Sequence, residues 1–251
     1  MVNKDERGVV SLTLNRPDKR NALSAKMIDE PTNFAASLTS DVRVTVIQGA
    51  GNLFCAGGDL EWMNAQIKAD RSTRIAEARK LAFMLKALNE LPVPLIAKVH
   101  GAAYGGGVGL ACVCDHVIAS SNVKFGFTET RLGLIPSTIG PYVVGKMGQA
   151  KAREVFMSGN IFSELDAKKL NIVSEIADDL DQSVEEHIIP YLKTAPKAVG
   201  EAKALVRSLG ATIDDKVIEQ TIQQLADIWE GEEARHGIES FLNKTKPRWS
   251  N

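Results

Sequence analysis

The sequence predicts an α/β fold followed by a helical C-terminal region, on three observations. Strand-like and helix-like stretches interleave up to about residue 178. Beyond that point the strand signal fades, and Asp181 to Leu242 is almost entirely helix-like. Two glycine-rich segments, Phe54-Cys55-Ala56-Gly57-Gly58-Asp59-Leu60 and His100-Gly101-Ala102-Ala103-Tyr104-Gly105-Gly106-Gly107, each lie where an apolar, strand-like run gives way to a helix-like one.

Val10, Leu12 and Leu14 alternate with Ser11 and Thr13, which suits a strand with one buried face. Ser24 to Leu38 is helix-like, and Pro31 within it is expected to kink the helix or delay its start. Val42 to Gln48 reads as the next strand. Ile75, Ala78, Leu81, Ala82, Leu85 and Leu88 then recur at helical spacing. Further strands are expected at Val93 to His100, His116 to Ala119, Val123 to Phe127 and Ile172 to Ile176. Ser163-Glu164-Leu165-Asp166 reads as a capped helix start, with Asn171 as its stop. Ile213 to Trp229 carries an apolar stripe through Val217, Ile218, Ile222 and Leu225. A soft boundary near residue 190 divides a core, 1–190, from a helical region, 191–251. No Gly/Ser/Pro linker lies there, so the second part is expected to pack on the first or on a neighbouring subunit.

With 251 residues, 44% of them hydrophobic, the chain has ample length for a buried core. Its 30 Lys+Arg nearly balance 31 Asp+Glu, which argues against nucleic acid or an anionic membrane as the main partner. Cys55, Cys112 and Cys114 read as reduced, partly buried thiols, and His100, His116, His187 and His236 show no ligand spacing, so no metal is expected. The acidic N-terminus shows no targeting segment, and no apolar run approaches the ~20 residues of a membrane span. A soluble, cytoplasmic protein is the expectation.

The glycines let the backbone turn sharply and present bare N–H groups to a ligand. Two such groups converging on one carbonyl oxygen make an oxyanion hole, in which one donor is worth on the order of 3 kcal/mol. A phosphate loop is excluded because no Gly-Lys-Ser/Thr follows, and the Gly-x-Gly-x-x-Gly of dinucleotide sites is absent. The bland alternative is that these glycines only allow tight strand–helix packing. Asn15-Arg16-Pro17-Asp18-Lys19-Arg20-Asn21-Ala22-Leu23 precedes the two segments. Phe125-Gly126-Phe127-Thr128-Glu129-Thr130-Arg131-Leu132-Gly133-Leu134-Ile135-Pro136 follows them. In this order the four motifs resemble the crotonase, or enoyl-CoA hydratase/isomerase, superfamily over nearly the whole chain.

The resemblance implies a crotonase-like spiral of strand-strand-helix units, with a helical tail that drives a homotrimer or a dimer of trimers. It implies an acyl-CoA substrate and no tightly bound cofactor, coenzyme A arriving as part of the substrate. Residue by residue, the oxyanion donors become the N–H groups of Gly58 and Gly106, the latter at a helix start, and the acid/base becomes Glu129. The family's other glutamate is replaced by Gly109. Arg20, Ala22 and Ala56 fall to adenine recognition, Lys19 and Arg20 to the phosphates, and Phe241 and Lys244, with Lys246 and Arg248, to closure over the coenzyme. Gly57, Asp59, Leu60, Tyr104, Gly105 and Pro136 are further candidates for substrate binding, Asp59 above all as a helix cap.

The apolar neighbours of Glu129 are expected to raise its pKa toward neutrality. A single carboxylate suffices to move a double bond, taking a proton from Cα and returning it at Cγ. It also serves hydration if the same group passes on the proton of the attacking water. Details around Gly58, Gly109 and Ser137-Thr138-Ile139 look like the bacterial methylglutaconyl-CoA hydratase branch, which implies a carboxylated acyl group. Arg131, helped by Ser137 and Thr138, is the candidate partner for that carboxylate, against a purely structural ion pair. An inactive acyl-CoA-binding protein remains the non-enzymatic alternative.

Overall fold

The computed structural model describes residues 1–250. The chain enters through β1 (Val2–Lys4), an edge strand antiparallel to β2 (Val9–Leu14), whose Val10, Leu12 and Leu14 are buried as the alternation requires. Helix α1 (Ala25–Ala36) follows, then β3 (Val44–Gly49), α2 (Leu60–Lys68) and α3 (Arg71–Asn89). The middle of the chain forms β4 (Leu95–Val99), β5 (Ala102–Tyr104), α4 (Gly106–Cys112), β6 (His116–Ser120) and β7 (Lys124–Gly126). A 3-10 turn, Glu129–Leu132, leads to α5 (Gly140–Met147), α6 (Gln149–Phe156), β8 (Ile161–Ser163), α7 (Glu164–Lys169) and β9 (Glu175–Ala177). Four helices complete the chain: α8 (Leu180–Leu192), α9 (Pro196–Leu209), α10 (Asp215–Trp229) and α11 (Glu232–Leu242).

Two sheets result. The larger runs β1-β2-β3-β4-β6-β9, parallel from β2 onward; the smaller runs β5-β7-β8. Parallel strands bury both faces, which explains the continuous apolar runs in β3 and β4. One face of the large sheet, through Val44, Val46, Ile96 and Ile118, packs on Val184 and Ile188 of α8. The other face joins Phe54, Leu85, Leu88 and Phe125 in the main core.

Three expectations need correction. Of the two effects expected of Pro31, the delayed start does not occur: Ser24 caps α1 by accepting the N–H of Met27, and the helix continues past the buried proline. The strand expected from Ile172 begins only at Glu175. The N–H groups of Ile172 and Val173 are spent on the carbonyl of Ala167, so this apolar pair is a buried helix exit. The cysteines are wholly buried, and burial pushes all three thiols up to about 12, which removes them as nucleophiles. Ser163 and Asn171 do bound α7 as expected, the latter with φ +64°. Residue 190 falls inside α8. Among the described residues no helix is long and apolar enough to cross a membrane.

Candidate active site

The three N-terminal motifs lie side by side because their backbones are stitched together. Cys55 N–H donates to the carbonyl of Ala102, and Tyr104 N–H donates to that of Cys55, joining the two glycine segments. Leu23 N–H donates to Gly57 and Asp59 N–H to Leu23, attaching the first motif. Asn21, fully buried with φ +51°, anchors this arrangement through bonds of 2.8 Å from its side-chain amide to the carbonyls of Ala50 and Leu53. Asp59 caps α2 by accepting from Glu61 and Trp62, and pairs with Arg16 at 2.8 Å. Burial alone would raise its pKa, but Arg16 and those two N–H groups hold the carboxyl below its ordinary value.

The glycines are needed for close approach. A Cβ at Gly57, whose φ is +88°, would lie 2.8 Å from the carbonyl oxygen of Tyr104. One at Gly105 (φ +48°) would lie 2.9 Å from Oε1 of Glu129, so the missing side chain brings the carboxylate against the backbone. Among the described residues the N–H groups of Gly58 and Gly106 have no acceptor.

Glu129 opens the 3-10 turn, and its carbonyl accepts the N–H of Leu134. The turn is held from outside by α11: a Cβ at Gly133 would meet the carbonyl of Glu233 at 2.4 Å, and one at Gly237 would meet that of Leu132 at 2.5 Å. Oε2 of Glu129 is buried without a hydrogen-bond partner among the described residues. Burial pushes the Glu129 pKa up to about 7, opposed only by a hydrogen bond from its own backbone N–H.

Glu129, Gly58 and Gly106 open on one cavity of about 990 Å³. Of the other residues drawn from the motifs, Arg20, Ala22, Ala56, Gly57, Asp59, Leu60, Tyr104, Gly105, Arg131, Pro136 and Phe241 all line it; Lys244 does not. Lys244 follows the end of α11 and is exposed, outside the cavity of its own chain. Phe241 lines the cavity of its own chain. Lys19 is tied to Glu61 at 2.9 Å, whereas Arg20 and Arg131 have no acidic partner among the described residues. Arg131 is therefore not a structural ion pair. Thr138 reaches the cavity, while Ser137 is buried behind it. Ala56 N–H is spent on the carbonyl of Arg20, and the Ala22 carbonyl on Arg16.

Position 109 explains the single carboxylate. A Cβ at Gly109 would lie 2.3 Å from Cγ2 of Ile139, so Ile139 occupies the space a side chain there would need. Sequence reasoning quoted Ile139 only within its motif. It also missed Trp62, Met63 and Trp229, which line the cavity from α2 and α10. The four-residue spacing of Gly58 and Trp62 across the Asp59 cap was the available signal for the first of these.

A family model described as enoyl-CoA hydratase/isomerase matches residues 4–251. The chain is 31% identical to the 2,3-dehydroadipyl-CoA hydratase of Escherichia coli, over 98% of this chain and 96% of that one. It is 30% identical to the 1,2-epoxyphenylacetyl-CoA isomerase of the same organism, over 98% and 96%. The crystal structure of an enoyl-CoA hydratase from Shewanella pealeana superposes with a TM-score of 0.81 at 34% identity, covering 99% of this chain and 94% of that one. Since the family match runs through nearly the whole chain and the two glycine segments meet at one cavity, the chain belongs to the enoyl-CoA hydratase/isomerase family, the crotonases.

Proposed function

We propose that the protein adds water across the double bond of an enoyl-CoA thioester, with Glu129 as its sole proton-transfer group and a branched or carboxylated acyl chain as substrate. The observation that supports this best is the pairing of a buried carboxyl, raised to about 7, with two unengaged N–H groups in one cavity. The thioester oxygen accepts from Gly58 and Gly106. As water attacks Cβ, the Glu129 carboxylate takes its proton, and charge passes through the conjugated system to the enolate oxygen held by the two donors. The resulting acid then protonates Cα, which regenerates the carboxylate and completes the addition of water. Arg131, an unpaired cation among Leu132, Leu134 and Pro136, supports a carboxylate on the acyl chain, 3-methylglutaconyl-CoA being the concrete case.

Ile139 in the space beside Gly109 favours a second reading, double-bond isomerisation, in which Glu129 moves one proton between Cα and Cγ without water. Incubation with 3-methylglutaconyl-CoA, crotonyl-CoA and a 3-enoyl-CoA, followed by product mass, separates the two. A gain of one water that disappears in Glu129→Gln supports hydration. Product of unchanged mass with a shifted double bond supports isomerisation, and no conversion by the wild type contradicts both.

The helical region also serves self-association in this reading. Helix α9 buries no residue and exposes Leu205, Val206 and Leu209 at 59%, 70% and 79%. A second copy of the chain is the occupant proposed for that face.

A further inference from the structure

We propose that His116, Glu175 and His187 form a binding site for a divalent transition-metal ion, Zn²⁺ first, where α8 crosses the ends of β6 and β9. The site is separate from the acyl-CoA cavity, which none of the three residues lines. The register of the large sheet creates it. Ile118 pairs with Glu175, and His116 lies two residues before Ile118, so all three side chains project from the same face of the sheet. That face is the one covered by α8, where Ser183 and His187 are one helical turn apart.

The donor atoms of the three residues lie within 4.8 Å of one another. Nδ1 of His187 sits 2.9 Å from the carbonyl of Ser183, a contact that requires the proton on Nδ1 and leaves the lone pair on Nε2. That lone pair faces Oε2 of Glu175 at 3.5 Å. Two ligands of a tetrahedral zinc ion are ~3.3 Å apart, given its usual bond lengths. The Ser183 hydroxyl donates to the other oxygen of Glu175 at 2.6 Å, fixing which oxygen is free. The remaining donor, Nε2 of His116, is buried without a hydrogen-bond partner among the described residues. Its ring centroid lies 4.0 Å from that of His187, the planes tilted by 31°.

An imidazole lone pair facing a carboxylate oxygen is repelled by it unless a proton, a metal ion or a donating water lies between them. The orphaned nitrogen of His116 favours the metal, because a proton shared by His187 and Glu175 leaves it unsatisfied. Two imidazoles and a carboxylate suit Zn²⁺ and its neighbours rather than Mg²⁺ or Ca²⁺. Serine 183 supplies the outer support that metal-bound His and Glu ordinarily receive. The side chains of His187 and Glu175 are 28% and 37% exposed, which gives an ion access and leaves a fourth position to water. Bound metal would pin α8 to the sheet.

Calorimetric titration of Zn²⁺ into chelator-treated protein tests this, with His187→Gln, Glu175→Gln and Ser183→Ala beside His236→Gln as control. One equivalent is expected in the wild type and the control, with loss of that equivalent in the first two variants and roughly tenfold weaker binding in the third. Zn²⁺ should also raise the melting temperature of the wild type but not of His187→Gln, whose own melting curve shows that it is folded. Absence of binding in the wild type, or binding that survives both His187→Gln and Glu175→Gln, would overturn the proposal.

Discussion

At Glu129, burial sets both the chemistry and a cost in stability. An unfolded glutamate ionises near 4.5, and this one near 7. Between these values the folded state holds the extra proton, so stability falls as pH rises through the window and the penalty is constant above it. Glu129→Gln should therefore be more stable than the wild type above pH ~7, by up to about 3 kcal/mol, and the difference should vanish below the unfolded value. Thermal melts at acid and alkaline pH check this. The same substitution should lower kcat by roughly 10²–10⁴-fold, the range of general acid–base catalysis. In the wild type, kcat/KM should rise with pH and level off above ~7, since the carboxylate is the form that starts the reaction. At Gly109, alanine would press on Ile139 and cost ~1–3 kcal/mol, a loss that Ile139→Ala in the same chain should largely recover in urea unfolding. Gly109 was visible in the sequence as a missing glutamate. What fills its place was not, because Ile139 reaches it from the start of α5 by tertiary packing.

Elements position these groups more than they contribute atoms. Asp59 joins the first glycine segment to α2, capping the helix and pairing with Arg16. Asp59→Ala removes both, with an expected loss of about 2–4 kcal/mol and a fall in kcat/KM as Gly58 shifts. Asp59→Asn keeps the cap, so chemical denaturation should place it between the two. The long helices and the central strands were legible because periodicity over many residues is a local signal. β5 and β8 were not: each has three residues, and β5 lies inside a glycine segment, where its pairing with β7 and with Cys55 defines it. The apolar pair Ile172 and Val173 misled for the converse reason, being buried without being a strand. The Glu129 motif was legible as a motif, whereas its support by Gly133 and Gly237 against α11 depends on residues a hundred positions apart.

For the whole molecule, the order of motifs revealed the family, and the cavity shows why the order matters: residues from every third of the chain line one space. The C-terminal region closes that space in its own chain through α10 and α11, leaving the α9 stripe outward. If the chain self-associates through α9 as proposed, Val206→Glu with Leu209→Glu should lower the mass measured by light scattering to that of a monomer; a mass equal to the wild type's would contradict that role for α9. The central claim is that Glu129 moves the proton at Cα beside an oxygen held by Gly58 and Gly106. Its most direct measurement is exchange of the Cα hydrogens of a bound acyl-CoA thioester in D₂O, followed by NMR, in the wild type and in Glu129→Gln. The account predicts exchange in the wild type and loss of it in the variant; exchange at equal rates in both would contradict it.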